Sequence, residues 1–152
     1  MAHSKASIRM YKNSTFHVKG RVKFGPGVGI VTGPNAKLSI GDNTYITASS
    51  VVYCAKEMEI GSDCAIAWNT TIIDTDFHHI TYPDGTQNPI SSPVKIGDKV
   101  WIGCNSTILK GVTIGNNSVI GANTLVNKDV PPNCLVVGNP MRIVKEGIDW
   151  NA

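Results

Sequence analysis

The sequence predicts an all-β fold, a single-stranded parallel β-helix with one protruding loop and a short terminal segment. Three observations predict it. The apolar set is β-branched, with 17 Ile and 15 Val against 4 Leu, and such side chains fit pleated surfaces while losing χ1 freedom in helices. Fifteen Gly and 13 Asn supply many positions able to turn at positive φ. Most tellingly, β-branched aliphatics recur at steps of six, at Ile96, Ile102, Ile108, Ile114, Ile120 and Val126. That period suits neither an α-helix nor simple alternation. It does suit short straight segments joined by like corners, three to a coil of about 18 residues, with coils stacked at about 4.8 Å.

Taken in chain order, residues 1–20 carry no such repeat and read as an N-terminal arm or cap. The β-helix is expected over 21–130, with irregular early coils. There Val22, Val28 and Pro34 lead toward Ile40, beside a second six-step series of Phe24, Ile30 and Ala36. Ile40, Ile46 and Val52 restore the frame, and Ile60, Ile66 and Ile72 resume it after two inserted residues near Met58. Several anchors are followed by glycine, as in Ile60-Gly61 and Ile102-Gly103, where the backbone bends. Tyr82-Pro83-Asp84-Gly85, Pro89 and Ser91-Ser92-Pro93 are turn and breaker signals, so a loop should leave the prism at about 77–93. Pro131-Pro132 removes backbone donors and is expected to end the ladder, leaving 131–152 as a C-terminal segment.

Bulk properties exclude more than they suggest. At 152 residues the chain is one domain, and 41% hydrophobic against 16% charged residues leaves enough for a core. A net charge of +3 without a basic cluster argues against nucleic acid as a partner. No apolar run approaches a membrane span and the start lacks a signal-peptide apolar region, so a cytoplasmic protein without stable membrane insertion is expected. Cys54, Cys64, Cys104 and Cys134 form no Cys-x-x-Cys pair, which favours free thiols over disulfides or zinc.

The most unusual polar cluster is Asp74-Thr75-Asp76-Phe77-His78-His79, directly after the anchor Ile72. Histidine titrates near neutrality and can take a proton from a hydroxyl, while a nearby carboxylate fixes its tautomer. A solvated corner with surface histidines is the plain alternative.

Pro93-Val94-Lys95-Ile96-Gly97-Asp98-Lys99-Val100-Trp101-Ile102-Gly103 resembles the hexapeptide-repeat acetyltransferases. So do Ile114-Gly115-Asn116-Asn117-Ser118-Val119-Ile120-Gly121-Ala122 and the close, Val126-Asn127-Lys128-Asp129-Val130-Pro131-Pro132 followed by Val137-Gly138-Asn139-Pro140. With the Asp-x-Asp-x-His cluster, the likeness covers about residues 36–146 and points to the branch that O-acetylates sugars, including surface polysaccharides, maltose and galactosides. It implies a left-handed winding, which spacing alone does not set. It also implies acetyl-CoA as donor, no metal, and a homotrimer with active sites between subunits.

Residue by residue, the likeness makes His78 the general base, with His79 as rival, and Asp76 the orienting carboxylate, with Asp74 second. Ser49, beside Ser50, stands where maltose and galactoside enzymes carry an acceptor-lining asparagine, so Ser49, Asp74, His79 and Trp101 are the acceptor-side candidates. For the donor, Cys104, Ala122 and Asn127 would meet the pantetheine arm, and Lys128, Arg142 and Lys145 the nucleotide phosphates. Two rival readings share the fold. A γ-carbonic-anhydrase-like metalloenzyme needs three bridging histidines, and only His78 and His79 lie in the repeat. A non-enzymatic binding scaffold would not need the broken coil that carries the histidines.

Overall fold

The computed structural model describes residues 4–152, and the chain winds repeatedly over three faces. The first coil is β1 (Ser7–Met10), β2 (Thr15–Val18) and β3 (Val22–Phe24). The next is β4 (Gly29–Thr32), β5 (Lys37–Ile40) and β6 (Thr44–Ile46), followed by β7 (Val51–Cys54), β8 (Glu57–Ile60) and β9 (Ala65–Ile66). β10 (Thr71–Ile73) leads into the loop, after which come β11 (Val94–Ile96) and β12 (Trp101–Ile102). The last regular coil is β13 (Thr107–Ile108), β14 (Thr113–Ile114) and β15 (Val119–Ile120). β16 (Leu125–Val126), β17 (Cys134–Val137) and β18 (Arg142–Glu146) finish the chain.

Parallel pairing stacks these strands into three sheets, β1-β4-β7-β10-β13-β16 on the first face, β2-β5-β8-β11-β14 on the second, and β3-β6-β9-β12-β15-β17 on the third. This is the parallel β-helix that the six-residue period predicts. The anchors form one buried column per face. Ile30, Val52, Ile72, Ile108 and Val126 line the first; Ile40, Ile60, Ile96 and Ile114 the second; Ile46, Ile66, Ile102, Ile120 and Val136 the third.

Asparagine makes the corners. Among the described residues, eight of the 12 non-glycine residues at positive φ are Asn, the residue that best tolerates that region after glycine. Several of these side chains bond to the corner one coil on, as in Asn69 Nδ2 donating to Asn105 Oδ1 at 2.7 Å and Asn117 Nδ2 to Asn133 Oδ1 at 2.9 Å. Glycine after an anchor has a different cause. A Cβ on Gly61 would run into the backbone of Gly97, and one on Gly103 would sit 2.6 Å from Ala122 N, so coils at this spacing leave no room for it.

The ladder extends beyond both expected ends. β1 and β2 pair in parallel with β4 and β5, so residues 7–18 belong to the first coil and are no separate arm. The early frame also runs through Phe24 and Ile30, with Val28 buried at a corner; Val22, Val28 and Pro34 do not share a column. At the far end Pro131-Pro132 does not stop the winding, because β17 stacks on β15 with Val119 opposite Leu135 and Ile120 opposite Val136. The amides of Gly41, Gly61, Gly97 and Gly115 each donate to the next coil on the second face, at Ile60, Ile96, Ile114 and Val130. That face ends with Val130, bridged to Ile114. An amide at 131 would have no carbonyl to reach, so proline costs nothing there. β18 then returns antiparallel along β17 and covers that edge of the third sheet.

Between β10 and β11 the chain leaves the prism and returns, joined by isolated bridges Thr75–Ser91 and Thr81–Gln87. Among the described residues, no helix is long and apolar enough to cross a membrane.

Candidate active site

The loop departs at the first corner, between the first and second faces. Alternation from the inward Ile72 turns Asp74 inward, where it is fully buried. Its carboxylate accepts the backbone N–H of Ala55 at 2.6 Å, Lys56 at 2.8 Å and Glu57 at 2.9 Å, with the Cys54 thiol 3.7 Å away. Asp74 thus caps the corner below and is closed to an acceptor, contrary to its expected place on the acceptor side. The two residues inserted near Met58 build this corner.

Asp76 lies on the surface side of the loop root. Its Oδ2 accepts from Lys110 Nζ at 2.7 Å and from Asn88 Nδ2 at 2.6 Å, and the Lys110 bond foremost holds its carboxyl below the ordinary range. Among the described residues no bond joins Asp76 to an imidazole, and the pairing with His78 expected from the sequence is not made within this chain. Phe77 follows at φ 61°, unusual for a bulky side chain, and rests edge-on against Tyr53 with ring centroids 4.8 Å apart. That strained residue turns His78 and His79 outward, where both are exposed.

A second feature lies on the third face. Tyr45, Ala65, Trp101, Val119 and Leu135 stand in register along its outer surface. Trp101 is 44% and Trp68 58% exposed. They flank a cleft of about 640 Å³ whose floor includes Gly103, Cys104, Gly121 and Ala122, and Trp150 closes one side. Trp150 lies 5.9 Å from Trp101 between ring centroids and donates its Nε1–H to Lys99 O at 2.8 Å. Lys99 also pairs with Asp149 at 2.6 Å, tying the last residues across the face. A smaller cavity of about 280 Å³ continues toward Tyr45 and Thr47.

The expected donor residues therefore divide. Cys104 and Ala122 share the cleft. Asn127 and Lys128 are exposed at the first corner, on the same edge as the histidine loop, and Arg142 and Lys145 are exposed on β18. Ser49 is an exposed positive-φ residue at the third corner, whereas neighbouring Ser50 is buried and bonds Ala67 O at 3.0 Å. All four cysteines are free. Burial pushes the Cys54 thiol up to about 12 and Cys64 up to about 11. Sequence reasoning missed Asn88, Lys110, Trp68 and Trp150. Lys110 had a legible signal, since it stands two residues after the anchor Ile108 as Asp74 stands after Ile72.

Residues 93–128 match the family described as bacterial transferase hexapeptide (six repeats). The galactoside O-acetyltransferase of Escherichia coli K12 is 39% identical over 113 residues, 73% of this chain and 55% of that protein. A putative lipopolysaccharide biosynthesis O-acetyl transferase of the same strain is 33% identical over 150 residues, 92% of this chain and 72% of its own length. Among solved structures, a hexapeptide-repeat-containing acetyltransferase of Vibrio cholerae O1 biovar eltor, complexed with acetyl coenzyme A, superposes with a TM-score of 0.63 at 31% identity, over 89% of this chain and 71% of that one. The chain spans about half the length of several curated relatives it matches. With the stacked hexads, this shows that the chain belongs to the hexapeptide-repeat acetyltransferase family.

Proposed function

We propose that this protein transfers an acetyl group from acetyl-CoA to a hydroxyl of a sugar or polysaccharide precursor, at a site completed by a neighbouring subunit in a trimer. The observation that carries the reading is the third-face cleft, apolar, floored by small residues on successive coils and lying apart from the histidine loop. Gly103, Gly121 and Ala122 leave room for a thin pantetheine arm close to the backbone, and the relative bound to acetyl coenzyme A shares this fold. Lys128, Arg142 and Lys145 are exposed cations suited to the phosphates. The galactoside and lipopolysaccharide relatives support a sugar hydroxyl as acceptor.

In this mechanism His78 removes the hydroxyl proton as the oxygen attacks the thioester carbonyl. The tetrahedral oxyanion collapses, the carbon–sulfur bond breaks, and the imidazolium returns the proton to the departing CoA thiolate. His79 is the alternative base. Trp101 stands between the donor cleft and the smaller cavity toward Tyr45 and Thr47, and with Ser49 at the third corner is assigned to the acceptor side. Cys104 lines the donor cleft and forms no covalent intermediate in this scheme.

The test is acetyl transfer from labelled acetyl-CoA to a panel of sugars and oligosaccharides by His78→Ala, His79→Ala and the parent protein. Loss of turnover by orders of magnitude in His78→Ala, with His79→Ala active, supports the assignment. Near-normal turnover in His78→Ala contradicts it.

A further inference from the structure

Lys110 comes from the coil beyond the loop, two residues after β13, and its side chain is only 17% exposed. Its ammonium donates to the Asp76 carboxylate at 2.7 Å and to the Pro89 carbonyl, so it bridges the outgoing and returning strands of the loop. Asn88, itself buried, completes the arrangement. Its Nδ2 donates to Asp76 at 2.6 Å and approaches the His78 carbonyl at 3.5 Å, while its Oδ1 accepts the Ile80 N–H at 2.6 Å. The clasp therefore holds the backbone on both sides of His79 and, through its side chain, Asp76 two residues before His78. Two backbone bonds brace the same root, Asp76 N to Ile90 O at 2.8 Å and Ser92 N to Asp74 O at 3.0 Å.

We propose that Lys110 and Asn88 are positioning residues that, through Asp76, fix the direction in which the loop presents His78. The inference rests on His78 being the base. An exposed ion pair adds little stability, but this one is mostly covered, shares its acceptor with an amide and spans two chain segments. Its effect lies in geometry, because a general base must come within hydrogen-bond reach of the proton it takes. Asp76 is then the anchor of the clasp and not the partner of the imidazole.

The experiment compares Lys110→Met, Lys110→Arg and Asn88→Ala with the parent, reading kcat, KM for acetyl-CoA, oligomer size and amide exchange over 76–91. Lys110→Met should lower kcat at least about tenfold with KM for acetyl-CoA and oligomer size unchanged, and should speed exchange at Asp76 and Ile80. Lys110→Arg should restore most of both. The double variant His78→Ala/Lys110→Met should be no slower than His78→Ala alone. Faster exchange with parental kcat would make the clasp a mere staple, and lost kcat with unchanged exchange would make Lys110 a substrate contact; either overturns the proposal. Full turnover in His78→Ala would remove the base and this proposal together. An inactive His78→Ala beside an unaffected Lys110→Met removes this proposal alone.

Discussion

Thr71 and Thr107 stand in register on neighbouring parallel strands of the first face, and that pairing separates His78 from Cys104. β10 runs out from Thr71 toward His78, whereas β13 is entered from Cys104, so the two side chains belong to opposite edges of the face. The chain crossing that face from the corner at Asn69 to the corner at Asp74 takes five residue steps and spans roughly 16 Å, far beyond the reach of a general base. The third-face cleft is lined by neither histidine.

The cleft should be the donor site. Ala122 is exposed on its floor, so Ala122→Trp fills space without disturbing the core. Titration calorimetry should show CoA affinity falling more than about tenfold, which is about 1.4 kcal/mol, with the melting temperature in the absence of CoA nearly unchanged. Parental affinity would place the donor elsewhere.

Asp74 should matter to the fold. Asp74→Ala strands three N–H groups, of Ala55, Lys56 and Glu57, at a partly buried corner. The loss should be about 1–3 kcal/mol, read by urea unfolding, with faster amide exchange at those three residues. A variant as stable as the parent would show that water takes over the bonds.

Two glycines make a paired test of coil spacing. Gly61→Ala places a methyl group against the Gly97 backbone and should destabilise by about 1–3 kcal/mol. Gly29→Ala meets nothing within 4 Å and should be neutral or slightly stabilising. Equal effects would contradict the account of why glycine follows the anchors.

Thiol titration gives a pH prediction. Burial holds Cys54 at about 12 and Cys64 at about 11, above the ordinary 9.0. The unfolded chain therefore releases these protons first, so stability is intact below pH 9 and declines as pH rises toward 11–12. Iodoacetamide at pH 8 should modify Cys104 first, with Cys54 and Cys64 protected, as intact mass will show. Rapid alkylation of Cys54 in the native protein would contradict this.

The later coils were legible because Ile96 to Val126 keep the hexad without interruption, and each of those residues is a buried strand end. The first coil was not, because its column residues Ile8, Val18 and Phe24, in register with Ile30, Ile40 and Ile46, stand ten and then six apart. Longer corners there hide the period that shorter corners reveal. Pro131-Pro132 misled because the missing donors matter only where another coil lies beyond. At the site, the histidine cluster announced itself by composition. The opposite fates of Asp74 and Asp76 depended on alternation from Ile72, which points one inward and leaves the other to Lys110 and Asn88. Trp68 and Trp150 were hidden for another reason: a cleft on one face gathers side chains from coils and tail that no spacing links.

The proposed composite site is tested most directly by mixing subunits. His78→Ala and Ala122→Trp damage opposite edges, and each alone should be nearly inactive when acetyl-CoA is held well below the Kd of Ala122→Trp. Co-expressed with different tags and purified as mixed trimers, they should recover about a third of parental turnover, since every 2:1 trimer has one of its three interfaces with both edges intact. Mixed trimers no more active than either variant alone would show that one chain supplies both edges, and would contradict the account.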